Sequence, residues 1–343
     1  MKVNQFPDRT IEIDNKEYLY FGGTAYLGLP THPEFQKLLI KNILQWGTAY
    51  GSSRSANIQL SAYEDGEQFL ANFVKADAAL TVSSGMLAGK LVVEILEPQT
   101  DCFFYFPGTH SAIKAPNSLP VFIGNELNPR LLDATIEKIT ILTDSVPSFH
   151  VQPIDLTMLH LIPFNKEITL VIDESHSLGI LGTNGCGIYS TTNPLNIKRK
   201  IIVSSLGKAF GLTGGVIASD SQFILQMKTH DTFVSSAGMN AAFVQTMADA
   251  EAIYLQQHQK LKANLSYINN QLIKNEAVLF DPNYPLIYPE IERINELFIS
   301  NNVIITNFKY ATSTKDLNRI VITANHKKED LNTLIYILNQ NQF

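Results

Sequence analysis

Cysteine is scarce in this chain: of 343 residues only Cys102 and Cys186 carry a thiol. Two cysteines build no disulfide framework, so the expected compartment is a reducing one, the cytoplasm. Long apolar runs are missing too. None approaches the roughly 20 residues of a membrane-spanning helix, and Met1-Lys-Val-Asn-Gln-Phe-Pro-Asp8 lacks the apolar core of a secretory signal. Positive charge is short: 26 Lys and Arg against 32 Asp and Glu leave a net charge of -6, which argues against a general nucleic-acid binder. There is no internal repeat, low-complexity tract or long run of one charge. What is present is core material. A 45% hydrophobic content with 17% charge suits a globular protein with a sizeable interior, and the length suits about two domains.

The densest signal lies in residues 199–219, which read as strand, turn, strand. Ile201-Ile-Val203 is a β-branched run, the mark of a buried strand. Ser204, Ser205 and Gly207 follow, then a single lysine, Lys208, and then Gly211, Gly214 and Gly215. A lysine set low in a cleft is desolvated, which lowers its pKa and makes it a nucleophile or Schiff-base former; the alternative is a solvated loop lysine. Upstream, Thr10–Phe21 alternates around Asp14-Asn15 as a hairpin. Pro33 opens a helix carrying Phe35, Leu38, Leu39 and Ile43, and residues 63–75 form another. Strands and helices then alternate. Strands are expected at Ala78–Ser83, Cys102–Phe106, Val121–Ile123, Ile139–Thr143 and Ile168–Asp173. Helices are expected at Gly85–Leu96, at 128–136 and in a short piece opened by Gly108–Ser111. Strands separated by helices imply parallel pairing through crossovers, and such sheets bind ligands at their carboxyl ends. Ser84, His110, Ser148, Asp173, His176, Ser205 and Lys208 all fall there. Beyond residue 238 come a long helix near 240–262, strands at Val303 and Arg319–Thr323, Arg319 beginning its strand, and a last helix near 327–341.

Asp173 ends an apolar strand, where a carboxylate must be paired or it costs several kcal/mol. A protonated heterocyclic nitrogen is one partner, and pyridoxal 5'-phosphate (PLP) uses that pairing while a lysine bonds its aldehyde. Its phosphate needs helix-terminal amides and hydroxyls. Ser84-Gly85-Met86, opening a helix, supplies the first, and Ser205 the second. PLP therefore accounts for Asp173 and Lys208 together. No metal is called for.

These residues carry a resemblance. Asp173-Glu-Ser-His176-Ser-Leu-Gly179 is similar to Asp-Glu-Ala-His-Ser-x-Gly, and Ser205-Leu-Gly-Lys208-Ala-Phe-Gly211 to Thr/Ser-x-x-Lys-Ala-x-Gly, both patterns of the α-oxoamine synthase family (8-amino-7-oxononanoate synthase-like) among fold-type I PLP-dependent enzymes. Tyr26-Leu-Gly-Leu29, Thr109-His110-Ser111 and Arg319-Ile-Val-Ile-Thr-Ala-Asn-His326 match further family segments in order and spacing. The resemblance implies an α/β fold. A large PLP-binding domain (46–238) would hold a mostly parallel seven-stranded sheet flanked by helices, and a smaller α/β domain would combine 1–45 with 239–343. It implies that His110 stacks on the cofactor ring, that His176 and Ser148 hydrogen-bond its phenolic oxygen, and that Arg319 holds the amino-acid carboxylate, with Tyr26 also on the substrate side. Ser235 and Ser236 would reach the phosphate of a neighbouring subunit in a homodimer. The activity implied is condensation of an amino acid with an acyl thioester such as an acyl-CoA, with decarboxylation.

Several positions depart from the family pattern. Thr24 replaces an Asn, Ile58 a glycine and Tyr63 a histidine; Ser148-Phe-His-Val151 replaces Ser-Met-Asp-Gly, and Met239-Asn240 a Pro-Pro pair. Cofactor residues are kept while the substrate entrance differs, which leaves the acyl donor open. An aminotransferase or a decarboxylase would use the same cofactor cage. A binding module without turnover is the non-enzymatic alternative. Ser205-Leu-Gly-Lys208 also fits the Ser-x-x-Lys of serine acyl-enzymes, but the companion Ser-Asp-Asn and Lys-Thr-Gly motifs are absent.

Overall fold

A computed structural model describes residues 1–192, 197–308 and 317–340. In chain order the first half holds β1 (Thr10–Ile13), β2 (Lys16–Phe21), α1 (Pro33–Trp46), α2 (Ser61–Val74), β3 (Ala78–Val82), α3 (Gly85–Leu96), β4 (Cys102–Tyr105), β5 (Leu119–Pro120), β6 (Phe122–Ile123), β7 (Glu126–Leu127), α4 (Pro129–Leu132), β8 (Glu137–Asp144) and β9 (Lys166–Asp173). The second holds β10 (Arg199–Ser205), β11 (Gly215–Ser219), α5 (Ser221–Lys228), α6 (Asp231–Ser235), α7 (Ala241–Asp249), α8 (Glu251–Gln271), β12 (Val278–Phe280), β13 (Leu286–Pro289), α9 (Ile294–Ser300), β14 (Val303–Phe308), β15 (Leu317–Val321) and α10 (Lys328–Gln340). They divide between two compact units. One comprises Met1–Phe35, Ala209–Gly211 and Ala252–Phe343, the other Gln36–Lys208 and Leu212–Glu251.

The second unit is built on a seven-stranded sheet in the order β3-β11-β10-β9-β8-β4-β5. Pairs from β10 to β5 are parallel. β11 alone runs antiparallel to both its neighbours, so β3 points the same way as β10. A parallel sheet covered on both faces needs strands that are apolar on both faces. The last four residues of β9, Leu170 to Asp173, are accordingly all buried. Leu80, Val82, Leu91, Val92, Val171, Ile201, Val203 and Ile217 form one continuous core with Phe223 and Met227. The carboxyl ends of β3, β4, β8, β9 and β10 consequently share one rim. The first unit carries a six-stranded sheet in the order β1-β2-β14-β15-β13-β12. In it the imidazole of His326 stacks on Phe21 at 4.2 Å between ring centroids, and Gln257 donates to the carbonyl of Leu27 at 2.8 Å.

Five local expectations are corrected. Gly108–Ser111 opens no helix. The amide of His110 is taken by the Asp144 carboxylate and that of Ala112 by His110 Nδ1, so the segment stays a turn. The helix expected over 128–136 is only Pro129–Leu132, because the chain is extended at Asp133, whose carboxylate then accepts from the amide of Thr135. Val121–Ile123 does not join the large sheet: Phe122–Ile123 pairs with β7 in a separate ribbon, and Leu119–Pro120 takes the edge position. The helix expected near 240–262 is two helices, interrupted at Ala250 with φ -101° and ψ 10°. Arg319 does not begin its strand but is the third residue of β15. The final helix matches its expected start to within one residue; residue 341 lies outside the described residues.

Candidate active site at the carboxyl rim

The rim is assembled by short connections. β10 ends at Ser205, and three residues later the Nζ of Lys208 lies 3.0 Å from Nε2 of His176, in the turn that follows β9. Both side chains are half-buried. Ser175 links the same two turns. Its amide donates to Oδ1 of Asp173 at 2.9 Å, and its hydroxyl accepts from the amide of Ser205 at 2.8 Å. Asp173, Ser175 and Ser205 thus form one hydrogen-bonded set and His176 with Lys208 a second, joined by the chain between Ser175 and His176.

α3 faces that group end on. Ser84 is its N-cap, with the side chain accepting from the amide of Leu87 at 3.1 Å, while Ala88 donates to the Ser84 carbonyl. The amides of Gly85 and Met86 belong to the first helical turn, whose donors have no acceptor within the helix and suit an anion. A Cβ on Gly85 would lie 2.8 Å from Cβ of Ser205, and one on Gly215 would lie 2.3 Å from the Ser84 carbonyl oxygen. Only glycine permits this approach of helix, strand β11 and Ser205. Met86 is exposed beside it.

Asp173 has a neighbour that the sequence reading passed over. β8 and β9 pair in register with Asp144 opposite Asp173, so two carboxylates end adjacent strands on the same face. Burial pushes the Asp144 carboxyl up to about 8, with the charge of Asp173 adding to the rise and the His110 amide and Lys208 opposing it. The signal was there to find: Ile139-Thr-Ile-Leu-Thr-Asp144 repeats the pattern of Ile168-Thr-Leu-Val-Ile-Asp173. His110 follows β4, exposed, with its amide on Asp144 Oδ1 at 2.9 Å. Ser148 lies four residues beyond β8 and is exposed. Ser235 ends α6, exposed, and the half-buried Ser236 donates its hydroxyl to the carbonyl of Thr232.

Behind the rim Glu174 is fully buried. Its carboxylate accepts from Ser177 Oγ at 2.7 Å and from the amide of Ile188 at 2.9 and 3.0 Å, holding the 175–188 loop to the end of β9. Ser145 extends the tie, donating its amide and the hydroxyl to the carbonyl of Asp173 at 2.9 and 3.0 Å. Gly187 has no room for a side chain, since its Cβ would sit 1.9 Å from Glu174 Oε2. Arg319 and Tyr26 belong to the other unit. There Tyr26 is fully buried, and its phenol is pushed well above the ordinary value by burial, with Arg319 pulling the other way and Tyr284 as its hydrogen-bond partner.

Comparison with known proteins supplies the context. The family described as aminotransferase class I and II matches residues 154–338. The 8-amino-7-oxononanoate synthase of Thermoanaerobacter pseudethanolicus is 26% identical over 94% of this chain and 87% of its own length. The serine palmitoyltransferase from S. paucimobilis, solved with a bound PLP-myriocin aldimine, superposes with a TM-score of 0.81 at 16% identity, covering 99% of this chain and 91% of the other. The 8-amino-7-oxononanoate synthase of Francisella tularensis gives 0.71 at 20% identity, over 94% and 97%. At such identities the structural likeness speaks for the fold.

Glu174 generates a pH prediction. Burial raises its carboxyl to about 7, its hydrogen bonds to Ser177 and Ile188 only partly offsetting the rise. The folded value exceeds the unfolded one, so its contribution to stability is full below the ordinary glutamate range, about 4.3, and is lost as pH rises through 7. Asp144, raised to about 8, adds a loss in the same direction that extends to higher pH. Tm should therefore fall between about pH 5 and 8, and Glu174→Gln should fall less steeply over that window. Thermal denaturation across the range checks this; parallel curves for the two proteins would refute it.

Proposed function

The chain belongs to the aminotransferase class I and II family, and from there we propose that it is a PLP-dependent acyltransferase of fold type I, most like 8-amino-7-oxononanoate synthase. It would join an amino acid to an acyl thioester, releasing CO2 and the thiol and forming an α-oxoamine. The observation that carries this reading is the Lys208 amine 3.0 Å from His176, on the turn after β10, the strand whose last residue, Ser205, is tied through Ser175 to Asp173.

The residues present fit the cofactor. A cap-bound helix terminus with two first-turn amides, a serine packed against it through a glycine, a buried carboxylate and a half-buried amine make up the donor set PLP requires. When bound, PLP supplies an electron sink for charge left at the amino acid's Cα. The chain's own residues have the following tasks in this reading. The amides of Gly85 and Met86, with the Ser84 cap and Ser205, take the phosphate. Asp173 keeps a proton on the ring nitrogen. His110 covers the ring face, and His176 and Ser148 hydrogen-bond the phenolic oxygen. Lys208, sharing a hydrogen bond with His176, moves the proton at Cα. Arg319 takes the substrate carboxylate with two parallel bonds that a lysine cannot make, and Tyr26 lies on the same substrate side.

A homodimer belongs to the reading as well, with Ser235 and Ser236 offered to the partner's phosphate. Both cysteines are buried and unpaired, which suits the cytoplasm, and no described helix is long and apolar enough to cross a membrane. Sedimentation at micromolar concentration should give a dimer; a monomer with full PLP occupancy would contradict that part.

The main test is chemical. After loading with PLP, borohydride reduction and peptide mapping should place the pyridoxyl group on Lys208, and Lys208→Ala should take up no covalent label. An amino acid plus an acyl-CoA should release CO2 and free thiol together. Arg319→Lys should weaken amino-acid binding by roughly 2–4 kcal/mol with PLP content unchanged. A label on another lysine would overturn the site. An amino acid converted to its keto acid without any acyl-CoA would put the aminotransferase reading, which the family description favours, in its place.

A further inference from the structure

His110 is placed by a turn that has little regular structure to hold it. Gly108 sits at φ +80°, and no helix or strand covers residues 106–118. The hydroxyl of Thr109 donates to the carbonyls of Phe106 and Leu142 at 2.7 and 3.1 Å. The amide of Ala112 donates to Nδ1 of His110 at 3.2 Å, so the imidazole takes its orientation from its own turn. Whatever fixes the backbone at His110 therefore fixes the ring. Beside the Thr109 hydroxyl, the tether that acts on His110 itself is Asp144, whose Oδ1 accepts from the His110 amide at 2.9 Å. Asp144 is itself immobilised as the buried last residue of β8, in register with Asp173, and the next residue, Ser145, donates twice to the carbonyl of Asp173.

We propose that Asp144 is a positioning residue for the cofactor: it ties the turn carrying His110 to the strand end beside Asp173, so that the imidazole meant for the ring face and the carboxylate meant for the ring nitrogen are held in one frame. The inference rests on the PLP reading above. It also explains why a second carboxyl is tolerated next to Asp173. Two charges at strand spacing in a buried site repel, and the groups facing Asp144 are Asp173 from β9, Lys208 from the turn after β10 and the amide of His110 from the turn after β4. Burial raises the Asp144 carboxyl, so it gives up its charge more readily than an ordinary carboxylate, and a neutral carboxyl still presents an oxygen to the His110 amide.

The experiment compares PLP uptake by the apoprotein, followed through its visible absorbance, for wild type, Asp144→Asn, Asp144→Ala, His110→Ala and the Asp144→Ala/His110→Ala double variant. Asn keeps an acceptor at the same reach and should bind within about threefold of wild type. Ala removes the acceptor and should raise the dissociation constant roughly tenfold or more, the scale of a buried amide left unpaired. In the His110→Ala background the same Asp144→Ala change should add less than about twofold, because its effect is routed through His110. Asp144→Leu, which has no acceptor and nearly the same shape, runs alongside and replaces Ala should that variant not fold. Unchanged binding in Asp144→Ala, an Asn variant as poor as Ala, or full additivity with His110→Ala would each overturn the proposal while leaving the cofactor reading intact. A wild-type protein that takes up no PLP would end both.

Discussion

A negative charge at the buried end of β9 sets the conditions for everything around it. Asp173 is buried, and the Ser175 amide on its Oδ1 at 2.9 Å occupies only part of the acceptor capacity of a carboxylate. A buried carboxylate needs a cation or several donors. The rim answers with an ordered shell: the Ser175 amide on the carboxylate, Ser145 on the main-chain carbonyl, and Lys208 close enough to influence the neighbouring Asp144. The same shell brings the Lys208 amine to His176. On the proposed reading, the carboxylate that would receive a protonated ring nitrogen and the amine that would meet the cofactor are held by one construction.

That construction depends on close backbone approach. α3 can aim its first amides at the rim because Gly85 and Gly215 leave no side chain where Ser205 and the Ser84 carbonyl already are. The loop that carries His176 is held from beneath by Glu174, which occupies the space a side chain at Gly187 would need. Fold and chemistry thus share residues. The buried carboxylate of Glu174 shapes the loop, and its cost in a low-dielectric interior is what makes the stability of the protein sensitive to pH near neutrality.

How much of this could be read in the sequence varied with the kind of signal. The parallel sheet was legible because fully buried strands are written as β-branched runs such as Ile201-Ile-Val203, and α3 because an apolar helix opens directly after Ser84. The turn at His110 was not, because its backbone is set by Asp144, a residue 34 positions away, and a tertiary hydrogen bond leaves no periodicity. Ala250 interrupts what local pattern writes as one helix, and Asp133 stops α4 through an extended backbone that its neighbours do not announce. Asp144 lies in no motif, although its strand repeats the pattern of the strand that ends at Asp173. Glu174 sits inside a motif, yet its task of clamping the 175–188 loop follows only from which amides the folded chain brings to it.

The central claim is that Asp173 holds a positive charge on the ring of a bound cofactor. The direct measurement is the nitrogen NMR signal of PLP carrying 15N in its ring, loaded on the intact protein and followed with pH. The account predicts a protonated ring nitrogen up to at least about pH 8, above the range in which a ring nitrogen without a carboxylate partner keeps its proton, and loss of that protonation in Asp173→Asn. A ring nitrogen that is unprotonated at neutral pH in the wild-type protein, or one that keeps its proton when Asp173 is neutralised, would contradict it.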